Sequence, residues 1–353
     1  MKDKVIIYTS WNLNPKEGTG VATSVNNIII NLKSRGVKFE FIKNDFSYKP
    51  FSLLLIKRII SNIIFRYKIK KYDYKRLLGI DFDGFLIKKR GKYILNIRTN
   101  FSDIKEHEKG WLKFLCRIEE LMQRVAIKKA DKIIVQSEYT KNRIIKDYKI
   151  KNKEIIVIPN RIDNKKFNYK GIDNKNEKII LSVAGLYPRK GILELIEALK
   201  ILKDKGIDFR HIHIGSGLMN RIINKKVKRL NLEKVSYFIG SKNTSFISKM
   251  YKKSTIFCHP ALQEDFGNVF LEAMASGKPI VAFNNSNNET FVKNGINGFL
   301  VKNNDIKSLA YHLEYLLKND RLCKRMGNES LKMIKFYSWD KTTVRILKEI
   351  RKD

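Results

Sequence analysis

Short runs of aliphatic and β-branched residues alternate along this chain with stretches of helical apolar spacing. That order predicts parallel, doubly wound α/β sheets. In the first half the candidate strands are Val5 to Thr9, Val37 to Ile42, Tyr93 to Ile97, Lys132 to Gln136 and Glu154 to Ile158. In the second half they are Ile179 to Val183, Arg210 to Ile214, Val235 to Ile239, Thr255 to His259, Pro279 to Phe283 and Gly298 to Val301. Between the groups, from Pro159–Asp163 to Lys178, Lys, Asn, Asp and Gly dominate and apolar periodicity lapses. Two Rossmann-like domains follow, residues 1–165 and 166–335, with a cleft expected between them.

One stretch breaks the strand rhythm. From Phe51 to Leu78 apolar residues recur at helical spacing (Ile56, Ile59, Ile60, Ile63, Ile64, Tyr67), interleaved with Lys57, Arg58, Arg66, Lys68, Lys70, Lys71, Lys75 and Arg76. Such a basic amphipathic segment can lie on an anionic membrane, or it can be a domain helix packed on a sheet with a solvated basic face. Lys57 and Arg58 interrupt the apolar run, so it is not expected to span.

Composition adds limits. A length of 353 residues suits two domains, each able to bury a core. The net charge of +37, from 72 Lys and Arg against 35 Asp and Glu, partly reflects a Lys-, Ile- and Asn-rich composition of the kind AT-rich coding produces. No aromatic-glycine recognition motif accompanies the charge, so a nucleic-acid partner is not expected. Cys116, Cys258 and Cys323 are odd in number and lack metal-ligand spacing, which points to reduced thiols in the cytoplasm. No secretory leader pattern, spanning run or internal repeat is expected from the sequence.

The chemistry concentrates in Glu264 to Val281. Gly267 permits positive φ or close backbone approach, and Asn268 to Ala275 are mostly good helix formers, so a helix N-terminus is expected beside Gly267. Its free N–H groups and roughly half a unit of positive dipole charge suit a phosphate. Glu272 falls about one turn further in, where a carboxylate can accept two hydrogen bonds from a ribose diol, and Glu264 stays in the preceding loop, free to touch a sugar.

This segment resembles the two-glutamate signature of the retaining glycosyltransferases of family 4, whose GT-B fold is two facing Rossmann-like domains. The seven residues between Glu264 and Glu272, the following Ala-Met-Ala-Ser-Gly-Lys-Pro-Ile-Val, Glu289 and Asn294–Val301 all continue the resemblance. It implies that Glu264 contacts the donor sugar and Glu272 the nucleotide ribose, with Asp265, Phe266, Gly267, Asn268 and Val269 around the donor. Asn160–Asp163 resembles the family's hinge motif, with Arg161 in place of its glycine, and the helix begun by Tyr337-Ser338-Trp339 (336–353) is expected to cross back to the first domain.

Further resemblances extend the candidate site. Gly18-Thr19-Gly20-Val21, opening a helix towards Arg35, matches the family's N-terminal glycine loop, placed to face the pyrophosphate or the acceptor. Ala184–Gly191 resembles the diphosphate loop, in which an Arg and the Lys of a Lys-Gly pair bind the donor. Aligned on Lys190-Gly191, the Arg position is Gly185. One cation at about 4 Å is worth around 4 kcal/mol at an effective dielectric near 20, so Arg189 is the candidate substitute. Where many members carry a histidine near the reacting sugar, this chain has Arg98-Thr99-Asn100, and Arg98 is read either as serving the diphosphate or as structural. Gly215 (in Gly215-Ser216-Gly217) and Gly240 are expected near the nucleotide.

Other groups are weaker. Asp81-Phe82-Asp83 has the spacing of metal-binding aspartates in the other glycosyltransferase fold, without that fold's surroundings. His211 and His213 share a strand face but lack a third ligand nearby and read as a buried pair; His107 lies among acids and carries no assignment. The resemblance implies a retaining, metal-independent transferase without cofactor. It would move a hexose from a UDP- or GDP-linked donor to a hydroxyl of a glycolipid, lipid-linked oligosaccharide or surface polysaccharide precursor. Glu264, Lys190 and Arg189 would be catalytic, and the protein peripheral at the inner face of the membrane. A GT-B epimerase and a non-catalytic sugar-nucleotide binder are the alternatives; oligomeric state is not legible.

Overall fold

The structure, a computed structural model, describes residues 5–13, 20–43, 53–160, 162, 167, 177–285, 287–337 and 339–351. It forms two compact units, residues 1–160 with 339–353, and residues 161–338.

In the first unit, β1 (Val5–Thr9), β2 (Phe39–Lys43), β3 (Arg76–Ile80), β4 (Lys92–Asn96), β5 (Lys132–Val135) and β6 (Glu154–Val157) make one parallel sheet in the order β2-β1-β3-β4-β5-β6. The crossovers are α1 (Gly20–Ser34), α2 (Leu54–Lys68), α3 (Phe101–His107), α4 (Gly110–Lys129) and α5 (Glu138–Tyr148). The step from β1 to β2 runs opposite to all later ones, so right-handed connection puts α1 on one face of the sheet and α2, α4 and α5 on the other.

The second unit repeats the plan. β7 (Ile179–Val183), β8 (Arg210–Ile214), β9 (Ser236–Phe238), β10 (Ile256–His259), β11 (Ile280–Phe283) and β12 (Gly298–Val301) run parallel in the order β12-β11-β10-β7-β8-β9. Its helices are α6 (Ile192–Asp204), α7 (Asn220–Arg229), α8 (Thr244–Lys253), α9 (Asn268–Ala275), α10 (Ile306–Leu317) and α11 (Asp320–Ile334). Two apolar clusters, one containing Leu195 and Leu313 and the other Phe257 and Phe270, fill this unit. The last helix, α12 (Trp339–Arg351), belongs to the first unit: Ile346 and Ile350 enter its core and Glu349 receives the buried Lys132 Nζ at 2.8 Å.

One expectation is corrected. The basic segment 51–78 is not a single amphipathic element: α2 ends at Lys68, a 3₁₀ turn covers Ile69–Lys71, and Arg76–Ile80 is the third strand, fully buried between β1 and β4. A strand buried on both faces shows no polar alternation, so Leu77 and Leu78 extend the helical apolar spacing. Nor is the isoleucine stripe of α2 its packing face. Leu55, Arg58, Ser61, Asn62 and Phe65 turn inward, and Ile56, Ile60, Ile63, Ile64 and Tyr67 turn outward.

Candidate active site

In the second unit the strand order reverses between β7 and β10, whose carboxyl ends open the crevice where doubly wound sheets bind ligands. The two loops leaving those ends carry the candidate residues. After β7 the chain makes a 3₁₀ turn, Pro188–Lys190, then enters α6 through Gly191 at φ 65°. A Cβ on Gly191 would stand 1.8 Å from the Pro260 carbonyl oxygen, so only glycine lets this loop lie against the end of β10. The backbone N–H groups of Leu262 and Gln263 donate to the Arg189 carbonyl at 2.9 and 3.3 Å. The two loops are stitched together by main chain.

That seam brings Lys190 Nζ to 2.7 Å from Glu264 Oε2, and His259 Nε2, at the end of β10, to 2.9 Å from the same oxygen. Burial alone would raise the Glu264 pKa, but the Lys190 charge and the hydrogen bonds from His259 and Lys190 outweigh it and hold the carboxyl well below the usual carboxylate range. Burial, then the neighbouring Arg189 charge, lowers Lys190 against the pull of Glu264. Burial also lowers His259 against its bond to Glu264, leaving a neutral ring whose one proton is on Nε2. Phe257 stacks on that ring and Phe270 meets it edge-on, 6.0 and 5.1 Å away, fixing its plane.

Gly267 caps α9 at φ 84°, and a Cβ there would meet the Phe270 ring at 2.5 Å. Gly267 has no side chain to cap this end of the helix, whose first turn, from Asn268 and Val269, begins at the crevice. Asn287 is buried and donates to the carbonyls of Glu264 and Phe266 at 3.3 and 3.1 Å, holding the loop from behind. The Phe266 side chain packs on Phe291 in the core, so its part in a site is through backbone. Asp265 receives Gln263 Nε2 at 3.1 Å. Glu272 is half-buried inside α9; burial pushes its carboxyl up to about 7, opposed by the Tyr251 hydroxyl.

Gly185 lies in the same crevice wall. A Cβ on it would meet the Tyr187 ring at 2.7 Å, and the Arg189 guanidinium sits 5.8 Å from that ring. The Tyr187 ring thus crowds the Cβ that any other residue at position 185 would carry. Gly215 N–H donates to the Gly240 carbonyl at 3.0 Å and Leu186 N–H to the Ser216 carbonyl at 3.2 Å, which ties the ends of β7, β8 and β9 together. Behind them, His213 Nε2 donates to the Ala184 carbonyl, so its Nδ1 accepts from Ser182 Oγ (2.8 Å); that oxygen accepts from His211 Nε2 (2.9 Å), and His211 Nδ1 accepts from Ser236 Oγ (2.7 Å). Burial lowers both rings to about 3, which makes them a neutral ladder under the loop that follows β7.

In the first unit the order reverses between β1 and β3. Gly18 lies outside the described residues, and Gly20 opens α1. Arg98 donates through Nη1 to Ser24 Oγ at 3.0 Å and to Asn160 Oδ1; burial lowers it to about 10, with Asp81 opposing, so it stays charged. Asn100 caps α3 through Ser102 N–H. Both make hydrogen bonds to protein groups, while Arg98 Nε is buried without one. Asp81 accepts from Trp11 Nε1 and the N–H groups of Arg98 and Thr99, and Asp83 from Ser10 and Asn62, which accounts for the two carboxylates without a metal ion. Among the described residues one further group of ligand types stands together, Asp103, Glu106 and His107, and Arg143 Nη2 lies 3.0 Å from both of its carboxylates.

His259, Asn287 and Arg58 escape sequence reasoning. His259 ends a strand in an apolar run, and only its placement five residues before Glu264 hints at a shared loop.

Residues 18–166 match the model of Glycosyltransferase Family 4, and residues 163–333 that of Glycosyl transferases group 1. An uncharacterized glycosyltransferase of Haemophilus influenzae is 32% identical over 225 residues, covering 64% of this chain and 62% of its own. A capsular polysaccharide biosynthesis glycosyltransferase of Staphylococcus aureus is 29% identical over 226 residues, covering 61% and 59%. The UDP-Gal:alpha-D-GlcNAc-diphosphoundecaprenol alpha-1,3-galactosyltransferase of Escherichia coli is 30% identical over 196 residues, covering 52% and 50%. The match thus spans about three-fifths or less of these relatives' length. A sucrose-phosphate synthase structure from Thermosynechococcus elongatus superposes with a TM-score of 0.84 at 16% identity, covering 99% and 98%, a likeness of fold.

Proposed function

Because the chain belongs to the group 1, family 4 glycosyltransferases, with the GT-B architecture of two six-stranded Rossmann-like sheets, we propose that it moves a hexose from a nucleotide-diphosphate donor to an acceptor hydroxyl. One observation carries the reading. At the switch point of the second sheet a deprotonated Glu264 is held between Lys190 and His259, beside the N-terminus of α9.

The groups suit the charges of that reaction. Cleaving the sugar–phosphate bond leaves extra negative charge on the diphosphate. The α9 N–H groups and dipole, Lys190 and Arg189 would take it up, with Lys190 turning from Glu264 to the leaving group as charge develops. Glu264, fixed by His259, would orient the donor sugar and meet the positive charge growing at its anomeric carbon, and Glu272 would hold the ribose. The reaction would be retaining and independent of a metal ion, the acceptor proton passing to the departing diphosphate oxygen on the same face. Closure of the protein over the donor would exclude water.

The acceptor we propose is a membrane-associated glycolipid, lipid-linked oligosaccharide or polysaccharide precursor. The support is the exposed isoleucine face of α2 with its cations, and the names of two relatives, one in capsular polysaccharide biosynthesis and one acting on a diphosphoundecaprenol-linked sugar. No helix among the described residues is long and apolar enough to cross a membrane, so contact would be peripheral.

The test is release of nucleoside diphosphate from a panel of UDP-, GDP- and ADP-sugars, with and without membrane lipid extract and EDTA, for the wild type and Glu264→Ala. We expect one donor to turn over, faster with lipid, unaffected by EDTA and lost in the variant. Loss in EDTA would overturn metal independence. Sugar isomerisation from donor alone would establish an epimerase, and tight donor binding without turnover a binding protein, the outcome that Gly185 makes worth measuring.

A further inference from the structure

The outward side of the α2 and α4 layer is apolar where an ordinary surface helix is polar. On α2, Ile56, Ile60, Ile63, Ile64 and Tyr67 are 40–61% exposed. On α4, Trp111, Phe114, Leu121 and Val125 are 40–62% exposed, at steps of three, seven and four residues that draw one stripe along the helix. Several polar side chains turn inward instead, Arg58 and Asn62 on α2 and Glu120 and Gln123 on α4, beside the buried Leu55, Phe65, Leu115, Met122 and Ile127. Both helices therefore carry apolar side chains on the core side and on the outward side. Side chains arranged this way expect cover.

The two stripes belong to one surface. α2 and α4 cross the same face of the sheet, Arg58 Nη1 reaches Glu119 Oε1 at 2.7 Å, and one turn or two further along Arg66 shares a groove with Val125 and Lys129. Both contacts ascend the two sequences together, so the helices lie side by side and parallel. Phe85, Leu86 and Ile87 floor the groove between them.

Charge selects the cover. α2 and the segment from Gly84 to Lys92 contain no Asp or Glu, while the two acids of α4 are bound, Glu119 to Arg58 and Glu120 to Lys105 and Arg124. Around the apolar stripes stand the exposed Arg66, Lys68, Lys70, Lys88, Arg117 and Lys128. A second copy would press this cationic surface against itself, whereas an anionic bilayer takes both the apolar side chains and the charge.

We infer that α4 is a second membrane-seated helix, its Trp111–Val125 stripe entering an anionic bilayer alongside α2. This rests on the reading above that the acceptor is membrane-bound, and it adds an orientation. α4 is 20 residues, about 30 Å, whereas the strands of four or five residues span about 13–17 Å. Its C-terminus adjoins the start of β5, so its Trp111 end overhangs the carboxyl edge of the sheet, the ligand-binding edge of such folds. Trp111 and Phe114, stacked at 5.2 Å, would sit at the level of the lipid headgroups beside the place an acceptor headgroup must reach.

The experiment uses the whole chain with vesicles of phosphatidylglycerol and phosphatidylcholine, and of phosphatidylcholine alone. Binding to the anionic vesicles should shift Trp111 emission to the blue, a change absent in Trp111→Phe. The triple variant Trp111→Ser/Phe114→Ser/Leu121→Ser should partition at least about tenfold more weakly, as should Ile60→Ser/Ile64→Ser. All these positions are exposed, and circular dichroism checks that the variants fold. If the wild type ignores anionic vesicles, the membrane reading and this inference fall together. If the α2 variant loses binding while the α4 variant keeps it and Trp111 emission stays put, this inference alone is overturned. A dimer in light scattering that the α4 triple variant dissolves would also overturn it, because a second copy would then be the cover.

Discussion

Lys190 Nζ and Glu264 Oε2 stand 2.7 Å apart although 74 positions separate them in sequence, and neither loop reaches that contact without the other. Lys190 is delivered by the turn after β7 and Glu264 by the loop after β10, and the Arg189 carbonyl pins the second loop to the first. The pair is the centre of the candidate site.

Replacing Glu264 by Gln keeps the side chain's shape and its bond to Lys190 but removes its charge. We expect kcat/KM for the donor to fall by about 10²–10³ with folding intact. Diphosphate release alongside circular dichroism checks both.

His259 acts through Glu264. His259→Phe keeps the ring between Phe257 and Phe270 and deletes the Nε2–H bond. Expected are a kcat loss of about 10–100-fold with donor KM little changed, and a shift of the acidic limb of the pH profile upward, because Glu264 loses one of the interactions that depress it. An unshifted limb would make His259 merely a packing residue.

With Gly185 where the family carries an arginine, Arg189 should bear more of the diphosphate charge. Arg189→Ala should lower kcat/KM about 10–100-fold, and Gly185→Arg added to it should fail to restore activity, since the Tyr187 ring crowds the Cβ at that position. Steady-state kinetics with the accepted donor decides this.

Arg58 is fully buried between the rings of Trp11 and Phe82, 4.1 and 4.0 Å from its guanidinium, and it serves Glu119 and Ser10. Arg58→Met strands Glu119, Asp81 and Asp83 around a lost cation. A destabilisation of about 3–5 kcal/mol is expected in urea unfolding.

The same cluster predicts a pH dependence. Burial raises Asp81 to about 6 and Glu119 to about 7, with Arg58 opposing in both. Each native carboxyl therefore holds its proton longer than the unfolded one. The stability they contribute is present near pH 4 and is lost as pH rises through about 6 to 7, on the order of 1–3 kcal/mol for each. The urea midpoint of the wild type should fall across that window, and Asp81→Asn/Glu119→Gln should flatten the fall.

How much of this was legible beforehand follows from which interactions are local. Eleven of the twelve strands among the described residues follow from the sequence to within two residues, as does the helix Asn268–Ala275 with its glycine start, because period, glycine and helix propensity act over a few neighbouring residues. β3 is hidden by its neighbour: it begins within eight residues of the end of α2, and its Leu77 and Leu78 fall in with the apolar spacing of that helix. The sequence leaves the role of Arg98 open and reads Asn100 as substrate-binding, for the same kind of reason. A guanidinium can bind a phosphate or its own fold, and the groups that Arg98 meets here, Ser24, Asn160 and Asp81, are distant in sequence.

By itself, then, the sequence determined the elements, the two-sheet class and the loops in which the chemistry lies, since those depend on spacing and on the backbone freedom of Gly191 and Gly267. Tertiary structure decided the rest. It paired Lys190 and His259 with Glu264, turned Asp81 and Asp83 into acceptors for their own chain, and left the isoleucines of α2 facing outward, because only packing determines which side of an amphipathic helix meets the protein and which partners remain for a charge once water is removed.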